Sequence, residues 1–195
     1  MAAHRPDVIA SRKAFVAEQP SFNAARLVFL DESGVCTAES RRYGWARRGK
    51  RPIIERPARG RRLNIIGAIG LDGVRAIRTL EGYVNGEVFL AFLRDDLGPK
   101  LHPGDIVVMD GPSIHRVEGV SEVLAERGAK AIYLPAYSPE LNPIEMTWAW
   151  IKKQIRDFPR RRMAELAQAI AERWGQVTPA LCRGWLKHAG YTWST

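Results

Sequence analysis

Three acidic residues stand where the local sequence would deliver their side chains to one place. Asp31 follows the apolar run Leu27, Val28, Phe29, Leu30; Asp110 follows Ile106, Val107, Val108, Met109; Glu145 comes three residues after Asn142, at the start of a helical pattern. Carboxylate oxygens are hard donors, and a trio of them suits Mg²⁺ or Mn²⁺, which take substrate oxygens and waters as their remaining ligands. Two such ions about 4 Å apart activate an attacking oxygen and stabilise the leaving oxygen of a phosphodiester. Without a cation the same charges repel and raise one another's pKa. Each acid also has a plain structural role open to it. Asp is a common turn residue, and Asn142 with Glu145 has the spacing of a capping box. For Glu145 the two roles can coexist, because a helix N-terminus favours an ionised carboxylate and so a deprotonated metal ligand.

Bringing the acids together requires particular elements. In open α/β sheets ligands collect beyond the carboxyl ends of the strands, so Asp31 and Asp110 would face one crevice if their strands were parallel neighbours. The pattern predicts a buried strand over 27–30 that stops at Asp31, a second strand at Tyr43 to Trp45, a third over 63–69 and a return strand over 74–79 after Leu71, Asp72 and Gly73. That is an antiparallel meander. A helix follows from Gly86, with Val88, Phe89, Phe92, Leu93 and Leu97 on one face. Next come a strand over 106–109, a helix through Val120 and Leu124 closed by Gly128, a strand over 131–134 and a loop holding Pro135, Ser138 and Pro139. Asn142 as N-cap and Pro143 at the first helical position open a strong helix with Ile144, Trp148, Ile151 and Ile155 on its apolar face. Two more helices, broken at Gly175 and Pro179, fill 162–188. The sum is one mixed α/β domain over 25–157, with 1–24 as a lead-in segment or helical linker and 158–195 as a helical extension packed on it.

A chain of 195 residues, 46% hydrophobic and 26% charged, is long enough for one full domain and argues against wholesale disorder. Its 30 Lys and Arg against 21 Asp and Glu leave a net charge of +9, which favours polyanionic partners, nucleic acid above all. Two cysteines, Cys36 and Cys182, make neither a disulfide framework nor a zinc cluster, and point to a reducing compartment, the cytoplasm. Uncharged runs such as 63–71 reach nine residues, well short of the roughly 20 that cross a bilayer, so no membrane partner is expected. The glycines at 67, 70 and 73 fit neither the dinucleotide nor the P-loop fingerprint, so no nucleotide cofactor is implied.

The charge is unevenly placed. Between Arg41 and Arg62 there are ten basic residues and one acid, Glu55. Of these, Arg41, Arg42, Arg47, Arg48, Lys50, Arg51, Arg59, Arg61 and Arg62 are candidates for binding phosphates, joined by Lys152 and Lys153 on the helix after Glu145. A solvated basic loop is the alternative. Trp45, at the edge of this stretch, can stack on a base or pack in the core, and the core is the expected place. The tryptophans at 148, 150, 174, 185 and 193 read as packing residues of the terminal helices.

The segments LVFLDES (27–33), YGWARRGKRP (43–52), VVMDGPSIH (107–115) and LPAYSPELNPIEMTWAWIKK (134–153) together resemble the catalytic domain of mariner-type DDE transposases, in particular the bacterial insertion-sequence branch, also called DDE superfamily endonucleases. The resemblance covers roughly 25–157, and the 34 residues between Asp110 and Glu145 match the spacing typical of that branch. It implies a ribonuclease H-like fold, a mixed sheet of antiparallel meander plus parallel strands flanked by helices. It implies Asp31, Asp110 and Glu145 as catalytic metal ligands for Mg²⁺ or Mn²⁺, two ions in all, with His115 and Asn142 as supporting residues. His115 could equally contact DNA or be a structural histidine. The implied activity is metal-dependent cleavage of phosphodiesters at transposon ends and transfer of the 3′ hydroxyl into target DNA. Implied partners are transposon-end and target DNA, a second copy of the chain on that DNA, and a helix-turn-helix DNA-binding region carried ahead of this domain or on a separate polypeptide. The chain departs from the family pattern at Gly111, where Asn is frequent, and at Ala136, where Pro is frequent. Two other readings remain: a transposase-derived DNA-binding or assembly module without catalysis, and a ribonuclease H-like nuclease that cuts without joining.

Overall fold

A computed structural model describes residues 5–39, 44–53, 60–111, 118–157 and 162–193. Its centre is a five-stranded sheet of order β3-β2-β1-β4-β5. The strands are β1 (Leu27–Cys36), β2 (Arg62–Gly70), β3 (Gly73–Glu81), β4 (Ile106–Met109) and β5 (Lys130–Tyr133). The first three form the expected antiparallel meander, and β4 and β5 add to β1 in parallel. This is the mixed sheet of a ribonuclease H-like fold. The helices are α1 (Pro6–Glu18), α2 (Gly86–Phe92), α3 (Val120–Ala125), α4 (Ile144–Asp157), α5 (Met163–Gly175) and α6 (Pro179–His188). Among the described residues no helix is long and apolar enough to cross a membrane.

Strand alternation splits the core between the two faces of the sheet. Phe29, Leu63, Ile65 and Val108 point to the face covered by α4, α5 and α6, where Ile144, Trp148, Ile151, Ile155, Leu166, Ile170 and Leu186 are buried. Val28, Leu30, Ile66, Val107 and Met109 point to the other face, against Phe89, Phe92, Leu93 and Leu97 of α2 and its continuation, and Val123 and Leu124 of α3. By the same alternation Asp31 and Asp110 belong to the α4 face. Helix α1, weakly patterned in sequence, reaches the α4-side core through Phe15.

Two expected elements differ. β1 does not stop at Asp31 but runs on to Cys36, because β2 is long enough to pair with it as far as Cys36↔Arg62. β4 leaves earlier, at Phe29↔Val108. Asp31 therefore sits inside an antiparallel pair on one side and beside the open end of β4 on the other. The strand expected at Tyr43 to Trp45 is absent over 44–53, which carries no regular structure, while Tyr43 lies outside the described residues. The meander closes without it, since β2 pairs directly with β1, and Gly44, Pro52 and the charges between them give no apolar alternation for a strand to bury.

Candidate functional site

Each of the three acids is delivered by a different element. Asp31 is opposite Gly67 in the β1–β2 ladder. Asp110 follows directly on β4. Extending the parallel register Val28↔Val107, Phe29↔Val108 by two residues sets Asp31 beside Asp110. Glu145 is in the first turn of α4. All three line one cavity of about 500 Å³, together with Leu134, Pro135, Ala136, Tyr137 and Ser138.

The capping box does not form. The backbone N–H of Glu145 donates to the Asn142 carbonyl at 3.1 Å and that of Met146 to the Pro143 carbonyl at 3.1 Å, so tight backbone turns serve the helix start. The Asn142 N–H, which Glu145 would have accepted, goes instead to Pro139 at 3.0 Å. The chain enters α4 from a 3₁₀ turn, Pro139–Leu141, whose first carbonyl thus takes the place of the Glu145 side chain. Glu145 is thereby released from the capping role, and Asn142, 3% exposed, keeps a buried Oδ1 with no hydrogen-bond partner among the described residues. That atom belongs to a side chain lining the carboxylate cavity.

The electrostatics follow from this crowding. Burial first, then the charges of Glu145, Asp110 and Glu32, push the Asp31 carboxyl up to about 8, against a smaller lowering by the Glu32 backbone N–H. Glu145 is also raised, by burial and by Asp110, with Lys152 pulling the other way. The indole N–H of Trp148 donates to Asp31 Oδ2 at 3.1 Å and favours the ionised form. The helical pattern marks Trp148 for packing only, and no local signal reveals a partner 117 residues away.

The donors fit a hard divalent cation: three carboxylates and an unpaired amide oxygen, with two of the acids held above their ordinary range by desolvation and mutual charge, a strain that bound positive charge relieves. They are not drawn into a closed cage, since among the described residues no three His, Cys, Asp or Glu side chains are close enough to hold one ion.

The basic candidates separate into groups. Arg47, Arg48, Lys50 and Arg51 are exposed on the irregular segment 44–53. At the β2–β3 end of the sheet Arg61 pairs with Glu81, and Arg62 Nε donates to Asn64 Oδ1 at 2.9 Å. Lys152 is half-buried and Lys153 exposed on α4. Arg41, Arg42, Arg59 and His115 lie outside the described residues. Trp45 does not pack in the core; it is fully exposed, having no strand to carry it inward. A residue that sequence reading passed over is Tyr137, which lines the cavity, is 60% exposed and holds a left-handed φ of 56°. A non-glycine residue in that region stores strain of about 1–3 kcal/mol, a cost that clusters at functional sites.

The family described as DDE superfamily endonuclease matches residues 26–168. Among solved structures the chain is similar to the Mos1 transposase paired-end complex with left transposon end, at a TM-score of 0.81 and 17% identity, covering 95% of this chain and 60% of that one. It is similar to the Mos1 mariner paired end complex with Mn, at 0.74 and 16%, covering 95% and 60%. It is similar to the catalytic domain of Mos1 mariner transposase, at 0.64 and 14%, covering 96% and 94%. The chain thus spans about three fifths of the Mos1 chains in the complexes and nearly all of the isolated catalytic domain. Among curated proteins none matches its sequence.

Proposed function

This chain belongs to the DDE superfamily endonucleases, and on that premise we propose that it is the catalytic domain of a DNA transposase. Its activity is metal-dependent hydrolysis of phosphodiesters at transposon ends, followed by joining of the 3′ hydroxyl to target DNA. The observation that carries the reading is the shared cavity of Asp31, Asp110 and Glu145, reached from three separate elements.

These three carboxylates would hold Mg²⁺ or Mn²⁺, two ions by the family scheme. Bound there, the metal supplies acidity to the attacking oxygen and neutralises charge at the phosphorus. The rest is done by the chain itself. Glu145 stands at the head of α4, where the helix N-terminus and Lys152 oppose the rise in its pKa that burial and Asp110 cause. Asn142 offers Oδ1 as an acceptor beside the acids. The exposed Arg47, Arg48, Lys50 and Arg51 bind the phosphate backbone and set register without reading sequence. Tyr137 presents an aromatic face at the cavity rim on which a base can stack. Support also comes from the fold shared with Mos1, whose structures include complexes with a transposon end and with Mn. By the same analogy two copies act together on DNA, with a helix-turn-helix region supplying recognition of the ends.

The test is Asp110→Asn. Mn²⁺-dependent nicking of duplex DNA is lost in this variant while DNA binding is retained; nicking at the wild-type rate would refute the assignment. A strand-transfer assay with a pre-cut 3′ end separates a transposase from a nuclease that only cuts.

A further inference from the structure

Asp31 and Gly67 face each other across the β1–β2 ladder on the side covered by α4 and α5. A methyl group at position 67 would come within 2.5 Å of Trp148 Cη2 and 2.8 Å of Trp174 Cη2. The bare glycine is therefore the space in which two indoles lie stacked, with ring centroids 5.6 Å apart and planes 26° apart. Trp148 is 2% exposed, and a buried indole N–H needs an acceptor. It finds one in Asp31, itself 6% exposed, at 3.1 Å. An indole can only donate, so it commits Oδ2 as an acceptor and leaves the second carboxylate oxygen uncommitted by this bond. A leucine or phenylalanine would fill the same core space without making any such selection.

We propose that Trp148 is a positioning residue for the cation site: its N–H fixes Oδ2 of Asp31 and so sets which oxygen, and in what orientation, the carboxylate presents to a divalent cation. The inference rests on the reading above that Asp31, Asp110 and Glu145 bind such a cation. Gly67 and Trp174 are the other parts of the device, one giving room and the other bracing the ring. Groups that hydrogen-bond a metal ligand from behind typically govern 10–100-fold in metal affinity or activity.

The experiment is calorimetric titration of the full chain with Mn²⁺, in wild type, Trp148→Phe and Trp174→Phe. Trp148→Phe keeps an aromatic ring and deletes the donor; Trp174→Phe perturbs the same stack and leaves the donor in place. The proposal expects about 10–100-fold weaker binding in Trp148→Phe and near wild-type binding in Trp174→Phe. Equal affinity in Trp148→Phe and wild type overturns it, and so does an equal loss in both variants, which would make the effect one of packing. Absence of Mn²⁺ binding by the folded wild type overturns the cation-site reading itself. A second measurement stands even if a variant fails to fold: the Trp148 indole N–H resonance, assigned through its proximity to Trp174, shifts on saturation with Mg²⁺. A resonance that stays put while Mg²⁺ binds overturns the proposal.

Discussion

The hydroxyl of Tyr191 donates to the backbone carbonyl of Leu141 at 2.9 Å, with both residues buried. The same ring meets Phe29 edge-on at a centroid distance of 4.8 Å. One side chain beyond α6 thus touches the strand that carries Asp31 and the turn that leads into Glu145. Two acids from distant parts of the sequence are referred to a common post.

Tyr191→Phe keeps the ring packing and leaves the Leu141 carbonyl buried without its donor. The expected cost is about 1–3 kcal/mol of unfolding free energy, read from urea denaturation. Mn²⁺-dependent nicking should fall as well, since the turn before α4 loses its anchor. A variant as stable as wild type would mean that another donor, such as water, takes the place of the hydroxyl.

The raised Asp31 carboxyl predicts a pH dependence with a definite sign. Its folded pKa of about 8 stands above the ordinary 3.8, so its contribution to stability is fully present below the ordinary value and is lost as pH rises through about 8. Metal-free protein should therefore lose stability across this window, by at most about 1.4 kcal/mol per pH unit for one proton. In Asp31→Asn that slope should flatten, as measured by urea unfolding at several pH values. If Asp31 holds the cation as proposed, Mn²⁺ affinity of the wild type should move the opposite way and rise with pH, because a carboxylic acid must shed its proton to ligate.

Gly67→Ala forces a methyl group against both indoles. Neither ring has a flexible tip that can step aside, so the expected loss is about 1–3 kcal/mol, read from thermal unfolding. The displaced Trp148 should also release Asp31, lowering Mn²⁺ affinity in the same protein.

Replacing Arg47, Arg48, Lys50 and Arg51 together by Ala should leave stability within about 0.5 kcal/mol of wild type, because all four are exposed on a segment without regular structure. DNA affinity should drop, and the slope of log affinity against log salt should become shallower by about 0.9 for each phosphate that is no longer neutralised. An unchanged salt slope would assign the basic segment to something other than DNA.

Most of this architecture is legible from local patterns. The apolar runs before Asp31 and Asp110, the turn at Gly73 and the periodicity of α4 each depend on neighbours a few residues away, and each yields the right element type. The features that sequence reading misses depend on distant partners. The length of β1 is set by β2, so the run of polar residues after Leu30 hides six more strand residues. The aromatic Trp45 has the character of a core residue, yet no strand forms to bury it. The Asn142–Glu145 spacing suggests a side-chain cap, but backbone satisfies the same N–H groups, that of Asn142 through the Pro139 carbonyl and that of Glu145 through the Asn142 carbonyl. The Trp148–Asp31 bond joins two elements that meet only after the sheet and α4 have docked.

The tie between Tyr191 and Leu141 also has an order in time. A ribosome makes residues 31, 110 and 145 before it makes 191, so every acid has been synthesised before the brace that steadies two of them exists. Until residue 191 emerges, the strand that bears Asp31 and the turn before Glu145 lack the side chain that touches both in the folded protein.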